Sequence, residues 1–106
     1  MLHVTGELDM VTAPAVAAEV ARQFGPEGSV DDRTLVFDLT GTSFLASSGL
    51  AVLADAAKEA ARRSLPKVRV VAANRPVLRP IQVTGLDTVL EVYADLTAAL
   101  QQPAGD

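Results

Sequence analysis

Thr34-Leu35-Val36-Phe37-Asp38-Leu39 is a nearly continuous apolar run that Gly41 is expected to end, and Ser47-Ser48-Gly49-Leu50 opens a helical pattern soon after. An uninterrupted apolar run of strand length reads as a central strand covered on both faces, the mark of a parallel sheet. In the pattern that follows, Leu50, Leu53, Ala54, Ala57 and Ala61 share one helical face, and Asp55, Lys58, Glu59, Arg62 and Arg63 lie mostly on the other. Glu59 precedes Arg63 by one helical turn, the favourable order for an ion pair, and the late cations suit a helix C-terminus.

Toward the N-terminus, Leu2, Val4, Gly6 and Leu8 alternate with His3, Thr5 and Glu7, the period of a strand with one buried face. Thr12-Ala13-Pro14 reads as an N-cap followed by proline in the first helical turn. Val16, Val20 and Phe24 then recur every fourth residue with Ala17 and Ala21 beside them, until Gly25-Pro26 stops the helix. Glu27 to Asp32 reads as a polar loop. Toward the C-terminus, Lys67 to Ala72 is a third strand, and Asn74 caps a short helix with Pro76 in its first turn and Pro80 limiting its regularity. Gly85 is a left-handed stop, Val89 to Tyr93 a last strand, and Asp95 the cap of a short helix through Leu100. Residues 101–106 form a tail expected to fray. The order β-α-β-α-β-α-β-α forces crossover connections, so the strands run parallel and the class is α/β. With no internal repeat and no linker, residues 1–106 read as a single domain.

Composition narrows the function. Hydrophobic residues at 49% and charged residues at 21% exclude a disordered chain. A net charge of −4, one tyrosine and no tryptophan leave neither the basic stripe nor the stacking aromatics of a nucleic-acid binder. Cysteine is absent, which removes thiolate nucleophiles, thiolate metal sites and disulfides, and fits a reducing compartment. No apolar stretch approaches the ~20 residues that span a bilayer. Met1 to Glu7 carries no signal-peptide pattern, so the expected location is the cytoplasm, without membrane insertion.

Enzyme chemistry has little to build on. The single histidine, His3, falls on the outer face of its strand and reads as solvated; a metal site of two or three histidines is impossible. The phosphate-loop, dinucleotide and nucleophile-elbow patterns do not occur, and no spacing pairs two carboxylates. No catalytic residue, metal or cofactor is therefore expected. What remains is Ser47-Ser48-Gly49-Leu50 at a helix start beyond a buried strand. From these residues alone two readings stand: the favoured one is that a serine, Ser47 being the candidate, simply caps the helix, and the sharper one is that the second serine is exposed for modification. A helix N-terminus at the carboxyl edge of a parallel sheet presents donors to an anion, so a phosphate there is tolerated by the fold.

Three motifs in register give the pattern a family. Gly6-Glu7-Leu8-Asp9, then Phe37-Asp38-Leu39 with Phe44-Leu45-Ala46-Ser47-Ser48-Gly49-Leu50, then Thr84-Gly85-Leu86-Asp87 before Val89-Leu90 resemble the landmarks of STAS domains of the anti-sigma-factor antagonist type. The resemblance spans Leu2 to about Leu100 and implies a mixed, largely parallel sheet of four to five strands with helices mainly on one side. It implies an antagonist that binds an anti-sigma-factor serine kinase and frees a sigma factor. That kinase phosphorylates the serine before the motif glycine, here Ser48, and a phosphatase reverses it. By the same resemblance Asp9, Ser47, Ser48 and Gly49 meet the partner. Asp38 is either a support near Ser48 or a strand carboxylate satisfied by backbone N–H groups. The alternative from the same resemblance is a STAS subunit docking on a transporter ATPase without a phosphorylation switch. Family members often carry aspartate where this chain has Ala46, which removes one acceptor from the loop. The family also has a strand before the Gly-Glu-Leu-Asp strand, and five residues precede Gly6 here; either this sequence begins late, or that strand is dispensable and a sheet edge is open. A monomer or weak dimer is expected.

Overall fold

Phe37 and Leu39, at the middle of the apolar run, are completely shielded from solvent, and the domain is layered around them. The computed structural model describes residues 1–26 and 34–101; the loop read at Glu27 to Asp32 and the tail beyond Gln101 lie outside them. In chain order the elements are β1 (Leu2–Leu8), α1 (Ala13–Phe24), β2 (Val36–Leu45), α2 (Ser47–Arg62), β3 (Arg69–Val71), α3 (Arg75–Val83), a 3-10 turn (Leu86–Thr88), β4 (Glu91–Tyr93) and α4 (Leu96–Gln101). The sheet order is β1-β2-β3-β4 and every pairing among the described residues is parallel. The α/β class and the sheet of four strands agree with the sequence reading, and no antiparallel strand is described. β1 pairs only with β2 among the described residues, so it forms one edge.

Side chains alternate across the sheet and sort the helices into two layers. Phe37, Leu39 and Val70 point into the main core, with Ala13, Val20 and Phe24 of α1, Leu53 and Ala56 of α2, and Val77 and Ile81 of α3. Val36 and Val71 point the other way, to a small cluster with Ala99 of α4, Tyr93 and Leu96. Three helices on one face and a short one on the other is the expected arrangement. The buried face of α2 is rotated from the expected one. Val52, Leu53, Ala56, Ala57 and Ala60 are buried, whereas Ala61 is exposed, because α2 packs against α1 as well as the sheet.

Gly41 does not end the central strand. β2 continues to Leu45 because β1 supplies partners along its length, with Thr5 opposite Gly41 and Leu8 opposite Leu45. A Cβ on Gly41 would lie 2.9 Å from the Thr5 methyl, so glycine here admits a close approach rather than a break. The buried Thr42 hydroxyl donates to Val4 O at 2.7 Å across the same pair. The last strand is shorter than expected, since Val89 and Leu90 donate to Leu86 O in the exit from the 3-10 turn. Gly85 has φ +77°, the left-handed conformation expected of it. Asp95 Oδ1 accepts from Ala98 N at 2.8 Å, the expected cap. Asn74 precedes α3 but does not cap it: its side-chain amide donates to Thr42 O at 2.9 Å and ties the start of α3 to β2.

Candidate functional site

The carboxyl ends of β1 and β2 lie side by side, and the ladder between them runs on past Leu45. Ala46 N donates to Leu8 O at 2.9 Å, so the turn after β1 and the first residue before α2 are held together. This is the edge where parallel α/β sheets bind their ligands. Between the two segments lies an open hollow of about 550 Å³ lined by Asp9, Met10, Val11, Ala46, Ser47 and Ser48. Asp9, Ser47 and Ser48, distant in sequence, are thus brought together.

Asp9 organises its own turn. Its Oδ1 accepts from Val11 N at 2.9 Å and Thr12 N at 3.2 Å, while its own N–H donates to Thr12 Oγ1 at 3.0 Å. The Thr12 hydroxyl donates to Glu7 O at 2.8 Å, and Ala13 N donates to Asp9 O at 2.8 Å. Thr12 occupies the N-cap position of α1 without a side-chain cap bond. The capping expected of Thr12 is done by Asp9, three residues earlier, and this fixes how Met10 and Val11 are presented.

At α2 the N-cap is Ala46, in extended conformation, and no side chain caps the helix. Ser47 is exposed and already helical, so the cap assigned to it from sequence is corrected: its hydroxyl lies past the position from which the amides one turn on can be reached. Ser48 also departs from expectation. The residue is half-buried, and its Oγ is shut off from solvent with no hydrogen-bond partner. Gly49 faces inward. A Cβ there would lie 2.8 Å from Leu45 Cδ1, 2.8 Å from Leu8 Cγ and 2.9 Å from Leu8 O, so this glycine lets the helix start pack onto the strand ends. It is buried, and what the structure gives it is a packing role.

Asp38 belongs elsewhere. Its Oδ1 accepts from Thr40 Oγ1 at 2.7 Å and Thr40 N at 3.1 Å, and its Oδ2 lies 2.9 Å from His3 Nδ1. The Thr40 hydroxyl, then the Thr40 N–H and His3, hold its carboxyl below the usual carboxylate range against the opposing effect of burial. Seven residues of β2, from Leu39 to Leu45, separate it from the start of α2, so of its two readings the local, strand-borne one describes its bonds. His3 is 63% exposed yet partnered, because the β1–β2 register sets it opposite Asp38. Among the described residues no group of histidine and carboxylate side chains could hold a metal, and no helix is long and apolar enough to cross a membrane.

The landmarks read from the sequence thus sit at the ends of β1 and β2 and after α3, in one parallel domain, and a family model described as the STAS domain matches residues 1–99. The chain belongs to the STAS domain family. It is similar to the anti-sigma-F factor antagonist RsfB of Mycobacterium tuberculosis H37Rv, 37% identical over 101 residues, 94% of this chain and 77% of the relative. It is 33% identical over 91 residues to the anti-sigma-B factor antagonist of Listeria monocytogenes, 86% of this chain and 75% of that one. The crystal structure of an anti-sigma factor antagonist from Mycobacterium paratuberculosis superposes with a TM-score of 0.74 at 37% identity, covering 92% of this chain and 79% of the other.

Two residues of this STAS domain's hollow were not singled out from sequence. Met10 and Val11 are 80% and 82% exposed, beside Ser47 and Ser48. The signal was available: two adjacent large apolar residues in a turn, where solvent exposure is the default, mark a contact surface.

Proposed function

We propose that this STAS domain is an anti-sigma-factor antagonist that binds an anti-sigma-factor serine kinase and is switched off by phosphorylation of Ser48. Support for the general role comes from the relatives, whose names are those of anti-sigma-factor antagonists. The observation that carries the site is the junction of an uncapped helix start bearing Ser48 with exposed Met10 and Val11 in one hollow. In this reading Met10 and Val11 enter an apolar pocket of the kinase, and Ser47 and the start of α2 lie at the rim. Asp9 contributes indirectly, by holding the turn. Because Ser48 Oγ is turned away from solvent, transfer requires rotation about χ1 into the hollow, which the partner induces on docking. A phosphatase restores the free hydroxyl.

The added phosphate carries about −1.5 to −2 charge. The helix dipole offsets ~0.3–1 kcal/mol of its cost, and the backbone N–H groups left without a side-chain cap are ready donors. The fold therefore survives modification while the contact surface gains a charge, whose burial against an apolar partner costs several kcal/mol. The test is a binding titration of unmodified and Ser48-phosphorylated protein against the cognate kinase, alongside thermal melts of both. A loss of about a hundredfold or more in affinity with an unchanged or raised melt is expected. Equal affinities refute the switch, and constitutive docking on a transporter ATPase with no phosphorylation would replace it.

A further inference from the structure

The Thr84-Gly85-Leu86-Asp87 motif takes no part in the Ser48 hollow; its first three residues, with Thr88 and Val89, form one wall of a second cleft. That cleft, of about 540 Å³, runs between the later turns of α2 and the 3-10 turn, with apolar walls from Ala57, Ala61, Leu65, Leu86 and Val89. Its size falls within the range of small-molecule sites, and Val89 is 46% exposed there. The polar groups are few and their state is informative. The Thr84 hydroxyl already donates to Pro80 O at 2.7 Å, and the Thr88 hydroxyl to Gly85 O at 2.7 Å. A sugar or nucleoside would leave its own hydroxyls unmatched on such walls.

Charge supplies the remaining selectivity. Among the described residues, Lys58 and Lys67 are the only ionised side chains in the lining. Lys67 Nζ reaches Thr88 O at 3.4 Å, and neither lysine has a carboxylate partner among the described residues. Four arginines are matched, Arg22 with Glu19, Arg62 and Arg63 with Glu59, and Arg69 with Glu91, and Arg75 and Arg79 lie on α3, outside this lining. The acids on α2, Asp55 and Glu59, line the groove toward α1 instead. In a chain of net charge −4, an apolar cleft bounded by two unmatched ammonium groups selects an apolar body with one anionic head. We propose that this cleft binds a small single-chain carboxylate amphiphile of the fatty-acid class. The chain lies along the alanine and leucine walls and the carboxylate meets Lys58 and Lys67.

The inference is independent of the Ser48 reading, since Ser48 is in the first turn of α2 and the cleft is at the other end. The experiment is calorimetric titration with decanoate below its micellar concentration, with decyltrimethylammonium as the charge-reversed probe. Saturable 1:1 binding of decanoate with a negative heat-capacity change is expected, and binding of the cationic probe about tenfold weaker or absent. Lys58→Glu with Lys67→Glu, both exposed positions, should weaken decanoate about tenfold and leave the melt intact. Ala61→Trp, at an exposed position on the wall, should block the cleft, and Ser48→Ala should bind as the unmodified chain does. Should Ala61→Trp fail to fold, the double lysine variant decides. Equal affinity for the two probes, or decanoate binding that survives the lysine reversal, overturns the proposal. So does an absence of saturable binding, or pelleting with phosphatidylglycerol vesicles without binding of free decanoate.

Discussion

Replacing Gly49 with alanine puts two effects of opposite sign in competition. In a helix, alanine is favoured over glycine by ~0.8–1 kcal/mol, so propensity alone predicts a more stable protein. Packing predicts the reverse. The new Cβ would lie within 2.9 Å of two leucine carbons and of Leu8 O. The Leu45 methyl can rotate and the Leu8 side chain shift at some cost, but Leu8 O already accepts from Ala46 N at 2.9 Å, so moving it stretches the bond that joins β1 to the start of α2. Overpacking costs ~1–3 kcal/mol where side chains absorb it, and a fixed backbone oxygen places this site at the upper end. The net loss is then ~2 kcal/mol. At ~4–8 °C per kcal/mol for a domain of this size, the midpoint of a thermal melt should fall by ~8–16 °C. Urea unfolding followed by circular dichroism measures the loss directly. A variant as stable as the parent but weaker in partner binding would refute the packing account and return Gly49 to the contact surface.

Other substitutions separate neighbouring roles. Ser48→Ala removes a buried hydroxyl that has no partner, so stability in urea should hold or rise by up to ~1 kcal/mol, whereas exposed, uncapping Ser47→Ala should stay within ~0.5 kcal/mol. Ser64 has φ +58°, and Leu65 N bonds Ala60 O at 2.8 Å while Ser64 N bonds Ala61 O at 3.1 Å, the double bond pattern that usually ends on glycine. Ser64→Gly should therefore stabilise by ~1 kcal/mol, read as a higher urea midpoint. Glu59 is held down to about 2 by hydrogen bonds from Arg62 and Arg63, against an ordinary 4.5. Its folded value is depressed, so its contribution is complete above pH 4.5 and is lost as the pH falls toward 2. Glu59→Gln should flatten the acid limb of a stability–pH curve in that window, and high salt should mimic it.

Much of the layer order was legible because periodicity reports which face of an element is buried. β1 has the limits its alternation implies, and α1 starts at Ala13 after the Thr12 signal. The errors share a cause. Thr12, Ser47 and Asn74 are residue types that cap helices locally, and none of the three caps one here. Asn74 spends its amide on Thr42 O, a contact set by tertiary placement, and Thr12 donates to Glu7 O in the turn that Asp9 caps. Gly41 misleads for the same reason, since what it accommodates is Thr5, a residue 36 positions away. His3 and Asp38 look unrelated in sequence and become a pair only when the β1–β2 register is known. At the site, the family resemblance pointed to Ser48, but only the ladder from Leu8 to Ala46 reveals that Met10 and Val11 stand beside it.

That ladder also explains why the helix start can be left so poorly satisfied. Ala46 offers no side-chain acceptor, Ser47 points outward, and Ser48 Oγ is buried without a partner. A cap lost in an isolated helix costs ~1 kcal/mol and frays the first turn. Here Gly49 is packed against Leu8 and Leu45, and Ala46 N is fixed on Leu8 O, so tertiary contacts hold the backbone in place of a cap. The first-turn N–H groups are left positioned with no side-chain acceptor. An acidic residue at position 46 would claim them and place a negative charge beside Ser48 before any phosphate arrived. With alanine there, a phosphate on Ser48 meets donors that no carboxylate has occupied. Under the proposed switch this chain should tolerate the modification better in the free state, which puts the energetic penalty on the partner interface instead of on the fold.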